Sequence, residues 1–156
     1  MTRHLVLALA LVATLAAGAA FAEETAMHHA KGEFDVQVTP KELDGPAADP
    51  SFSRLALAKT LRGDLEGTGA GQMLAAGGPD SGAGAYVAIE RITGKLDGKE
   101  GSFALMHNGT MDASGYHLDV TVVPGSGTGE LQGISGTFTI LIEGGKHSYD
   151  FAYQLP

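Results

Sequence analysis

Along most of the chain apolar and polar positions alternate with a spacing of two, the period of a strand with one face buried and the other in water. Phe34, Val36 and Val38 alternate with Glu33, Asp35 and Gln37. In 55–66, Leu55, Leu57 and Lys59 share one side, although Leu55 to Leu61 also scores as a helical stretch. Phe103, Leu105 and His107 form a third face, and Tyr116, Leu118, Val120 and Val122 a fourth. Phe138, Ile140 and Ile142 follow, and the last face carries His147, Tyr149, Phe151, Tyr153 and Leu155. In 85–92 both faces are apolar, with Val87 and Ile89 competing against Tyr86, Ala88 and Ile92, so the register there stays open. Residues 23–31 have no periodicity and are expected to form a loose lead-in. Thr39 to Arg54, with Pro40, Pro46 and Pro50, reads as a loop crossing outside the sheet.

A short repeat punctuates these strands. Residues 94–105 and 129–140 both read G-x-L-x-G-x-x-G-x-F-x-(L/I), and a looser copy starts at Gly63. Its physical reading is a strand end, a glycine turn and a second strand, with the leucine folded back over the end of the core. Gly144-Gly145 predicts a primed two-residue hairpin turn. The stretch from Gly67 to Gly84 is expected to be a mobile hairpin loop, since it lacks the Gly-Lys-Ser/Thr of a phosphate loop. Seven or eight strands joined by short turns predict an all-β fold, a closed antiparallel barrel of about eight strands, with a sandwich as runner-up. Glycine, 23 of 156 residues, is about twice its ordinary share and has no collagen period, which fits many tight turns.

Met1–Ala22 reads as a signal peptide: Arg3, an apolar run from Leu5 to Ala17, then Ala20-Phe21-Ala22 before Glu23. Cleavage after Ala22 would leave 23–156 as a single barrel domain, periplasmic or secreted, with no later segment apolar enough to form a membrane helix. The net charge of −8 becomes more negative when Arg3 leaves, which disfavours nucleic acid and anionic membranes as partners. The absence of cysteine removes disulfides, thiol nucleophiles and Cys-ligated metals.

The chemistry-bearing residues concentrate on the faces expected to point inward. His107 and His147, with Phe103, Tyr149, Phe151 and Tyr153, would line an apolar interior studded with imidazoles and phenols, a ligand-binding set if a cavity exists. The same rings would instead fill the barrel if each polar atom found a partner. Glu90 and Tyr86 are the catalytic candidates: with the Tyr86 face internal, Glu90 is a buried carboxylate suited to acid or base work. With the Val87 face internal it is a surface charge. His28 and His29 point to opposite faces of a strand, and His107, His117 and His147 show no ligand spacing, so no metal and no cofactor is expected.

The segments Met27-His28-His29-Ala30-Lys31-Gly32, Gly63-Asp64-Leu65-Glu66-Gly67, Tyr86-Val87-Ala88-Ile89-Glu90-Arg91, Gly101-Ser102-Phe103 with His107 and Gly109, Ser126-Gly127-Thr128-Gly129-Glu130-Leu131 and Gly145-Lys146-His147-Ser148-Tyr149 together resemble the bacterial domain-of-unknown-function 3224 family. The resemblance covers nearly all of 27–156 and implies a barrel similar to allene oxide cyclase, an architecture shared with dirigent proteins, without implying a reaction. The leading expectation is an exported barrel that holds a small apolar molecule in its interior. The alternatives are a cofactor-free cyclase or isomerase in the same cavity, and an assembly module whose outer face or 67–84 loop meets a protein partner. A homo-oligomer is left open.

Overall fold

A computed structural model describes residues 26–156 apart from 44, 46 and 47. The expected signal peptide, Met1–Ala22, lies outside the described residues. The alternating segments become β1 (His28–Lys41), β2 (Phe52–Gly63), β3 (Leu65–Gly78), β4 (Ala83–Leu96), β5 (Lys99–Asp112), β6 (Gly115–Val122), the two-residue β7 (Thr128–Gly129), β8 (Ser135–Glu143) and β9 (Lys146–Gln154). A 3-10 turn, Pro79–Ser81, joins β3 to β4. Neighbours pair antiparallel from β1 through β6, then β8 and β9, and β9 returns to β1, so eight strands close a barrel. β7 hangs on β5 outside this circuit. The architecture is compatible with an allene-oxide-cyclase-like barrel, and no described helix is long and apolar enough to cross a membrane.

The inner faces are the predicted ones. Leu57, Lys59 and Leu61 are buried on β2, Phe103, Leu105 and His107 on β5, and Tyr149, Phe151 and Tyr153 on β9. The helical alternative for Leu55 to Leu61 gives way to β2, because partners on both sides supply its backbone hydrogen bonds. The open register of β4 resolves with the Tyr86 face inward: Ala88, Glu90 and Ile92 are buried while Val87 and Ile89 are exposed. Gly144 and Gly145 both take positive φ, 57° and 78°, as a primed hairpin turn requires.

Four local expectations are corrected. The lead-in is already strand from His28, because β9 pairs with it from His28↔Tyr153 to Phe34↔His147 whatever its side-chain pattern. The outer loop shrinks to 42–51; Pro40 stays in β1 opposite Leu55, beyond the last β9 rung, where a missing N–H leaves no acceptor unmet. Gly67–Gly84 is no loop: most of it is β3, paired along its length with β2 and β4. The second repeat copy is not a hairpin, since Gly129 pairs with β5 and Phe138 with β9. The repeat nonetheless delivers Leu65, Leu96 and Leu131 to one end of the core, each almost wholly buried.

Candidate functional site

The inner face of β3 is bare where β2 and β4 carry their charges. Gly69 sits opposite Lys59 on one side and Ile92 on the other, and Gly71 opposite Glu90. A Cβ at Gly69 would lie 3.2 Å from both Glu90 Oε2 and Lys59 Cβ. Glycine therefore opens the gap through which side chains from two non-adjacent strands meet. Lys59 Nζ donates to Glu90 Oε1 at 2.5 Å, and His107 Nε2 on β5 lies 2.9 Å from the same oxygen. The side chains of Lys59, Glu90 and His107 are 5%, 0% and 4% exposed. Lys59 also stands over the Phe34 ring, 4.9 Å from its centroid, a cation–π contact.

Burial alone would raise the Glu90 carboxyl, but the hydrogen bond from His107 and the charge and N–H of Lys59 outweigh it and hold the carboxyl below its ordinary range. Its second oxygen, Oε2, has no hydrogen-bond partner among the described residues. A buried pair of this kind is weak evidence for stability, because desolvation offsets much of the attraction. Its chemical capacity is clearer: one carboxylate oxygen joins an ammonium and an imidazole, so a proton can pass among them.

Above this cluster, toward the end where the β3–β4, β5–β6 and β8–β9 turns lie, the barrel is not filled. A cavity of about 140 Å³ is lined by Phe34, Lys59, His107, His147, Leu118 and Ile140 among others. A wider mouth of about 450 Å³ is walled by Leu55, Ala75 and Met111. Met73, Tyr86 and Tyr116 line both spaces and stand between them. The Tyr86 and Tyr116 hydroxyls are 2.9 Å apart, bridging β4 and β6 across β5. Gly109 of β5 permits this, since a Cβ there would lie 2.3 Å from the Tyr86 ring. Burial and the bond to Tyr116 push the Tyr86 phenol far above its ordinary value.

The predicted residues divide between two environments. His107, His147 and Tyr86 line the cavity, with His147 packed on Phe34 at 5.1 Å, and Glu90 stands behind His107, bonded to it. Phe103, Phe151, Tyr149 and Tyr153 occupy the opposite, filled end and do not line it. Phe103 stacks on Phe151 at 5.4 Å and Phe151 on Tyr153 at 5.3 Å. Tyr149 Oη accepts from the Leu65 N–H at 3.0 Å, and Tyr153 Oη donates to Asp97 Oδ2 at 2.6 Å. Lys59 was not among the expected site residues. The spacing Gly67, Gly69, Gly71 was the available signal: a strand whose inner face is glycine leaves neighbouring strands' long side chains in reach of each other. Among the described residues no group of three His, Asp or Glu side chains could hold a metal ion. Outside the barrel an apolar groove of about 760 Å³ runs over Leu74, Val87, Ile89 and Met106.

The family model described as Protein of unknown function (DUF3224) matches residues 30–153. A similar solved structure is that of a protein with unknown function from the DUF3224 family of Shewanella oneidensis MR-1, determined at 1.84 Å resolution. It is 41% identical, superposes with a TM-score of 0.76, and the match covers 84% of this chain and 98% of that one. No curated protein matches the chain.

Proposed function

The chain belongs to the DUF3224 family, and from that premise we propose that it is an exported barrel which binds a small, largely apolar molecule in its interior, without a cofactor. One observation carries the reading: the interior is left open at one end, with apolar walls and a few convergent polar groups, the usual composition of a small-molecule site. Phe34, Leu118 and Ile140 supply apolar contact; His147 and the Tyr86–Tyr116 pair supply orientation. Native mass spectrometry of protein purified from its exported compartment tests it. A discrete organic adduct near one per chain is the expected result. A bare mass, together with no uptake of any apolar probe by the purified barrel, would overturn it.

A second reading, a cofactor-free cyclase or isomerase, is favoured by the inward Glu90 in contact with His107. Conversion of the identified ligand, lost in Glu90→Gln and His107→Ala while binding persists, supports this reading. Full turnover in both variants removes it.

A further inference from the structure

The lining of the deep cavity limits what a bound molecule can present to it. Its ionisable side chains are Lys59, His107, His147, Tyr86 and Tyr116, and no carboxylate lines it among the described residues. The Lys59 ammonium has three N–H groups; Glu90 takes one and the Phe34 ring lies against another side, and because Lys59 lines the cavity a donor remains within reach of a bound acceptor. His147 packs against Phe34 in a tilted ring contact, and no described residue accepts or donates a hydrogen bond at its imidazole. Of the two phenolic protons at Tyr86 and Tyr116, their mutual bond uses one. The site is thus rich in donors set in apolar walls, and it matches an acceptor oxygen on an apolar body.

Charge then separates two acceptor classes. The positive charge of Lys59 is already matched by Glu90 at 2.5 Å. A carboxylate entering here would leave a net negative charge against the buried Lys59, Glu90 and His107 side chains and the apolar walls around them, which is costly. An uncharged carbonyl oxygen accepts the same N–H groups without that cost. The space, about 140 Å³, is close to the size of an engineered cavity of roughly 150 Å³ that holds a benzene ring. We infer that the interior site takes an uncharged, ring-sized carbonyl compound, a ketone, lactone or ester, whose oxygen accepts a hydrogen bond from Lys59. This rests on the interior-binding reading above and specifies its ligand class.

The test compares four probes of similar shape on the whole mature protein: acetophenone, isopropylbenzene, 1-phenylethanol and benzoate, by titration calorimetry. Acetophenone is expected to bind at least about tenfold more tightly than the other three. With carbonyl-13C acetophenone, the carbonyl resonance is expected to move downfield on binding, a signature of a donated hydrogen bond that needs no variant. Both effects should vanish in the paired variant Lys59→Met with Glu90→Gln, while isopropylbenzene still binds and so reports an intact cavity. Equal binding of acetophenone and isopropylbenzene, a preference for benzoate or the alcohol, or an unmoved carbonyl resonance overturns the carbonyl assignment and leaves interior binding standing. Failure of all four probes to bind overturns the carbonyl assignment, and with a bare mass of the exported protein it overturns interior binding as well.

Discussion

The two ends of the barrel are built from the same kinds of residue and reach opposite outcomes. At one end Phe103, Phe138, Phe151, Tyr149 and Tyr153 stack with centroids 5.0–5.5 Å apart, under the leucines of the repeat. Each tyrosine hydroxyl there has a protein partner: Leu65 and Arg62 backbone groups for Tyr149, Asp97 for Tyr153. At the other end, among the described residues, the Tyr86 and Tyr116 hydroxyls bond only to each other, His147 has only a ring contact, and space remains. Between them sits the Lys59–Glu90–His107 cluster. Aromatic residues on an inward face are therefore core where their rings and hydroxyls meet partners, and site where they do not.

Truncation at the filled end should have the greatest effect on stability. Phe103→Ala and Phe151→Ala should each cost about 3–5 kcal/mol, because both rings are wholly buried and stacked on each other. Tyr116→Ala, at the mouth and largely exposed, should cost far less in the same urea titrations. Comparable losses at both ends would erase the distinction.

The middle of the barrel comes next. Lys59→Met alone should destabilise by about 3–5 kcal/mol, since it strands the Glu90 carboxylate. The paired change Lys59→Met with Glu90→Gln should recover most of that, and chemical denaturation of the two variants checks it. Tyr149→Phe ranks third at about 1–3 kcal/mol, because it leaves the Leu65 N–H buried without an acceptor. Tyr86→Phe, which loses a bond at the wetter mouth, should cost less than Tyr149→Phe.

The smallest expected effect is in pH dependence. Glu90 is held below its ordinary range by His107 and Lys59 against the opposing effect of burial. Its contribution is therefore complete above the unfolded carboxyl value, about 4.3, and is lost as pH falls through its lower folded value. The paired Lys59/Glu90 variant should flatten the acid limb of a stability–pH curve. Tyr153 has the opposite sign: burial and its bond to Asp97 raise it, so its contribution is present below the ordinary phenol range and lost as pH rises through its folded value. Tyr153→Phe should flatten the alkaline limb, and an unchanged limb in either variant would contradict the assignment.

Much of this was legible in the chain. A period of two leaves its mark at every other residue, so the inner faces of β2, β5, β8 and β9 could be read locally, as could the Gly144-Gly145 turn. The errors fell where pairing partners decide. Glycine at 67, 69 and 71 looks like loop when taken alone, yet it forms a strand because β2 and β4 supply its hydrogen bonds. His28 to Lys31 became strand for the same reason.

The fold class, the strands with one apolar face and the rings and imidazoles that point inward all follow from local pattern, because each depends on neighbours along the chain. Which rings fill the barrel and which border a cavity, the inward turn of Glu90, and the reach of Lys59 to it across the bare glycines of β3 emerge once the barrel closes. Those outcomes depend on residues far apart in sequence competing for one enclosed volume and for one set of hydrogen-bond partners, and no local pattern encodes that competition.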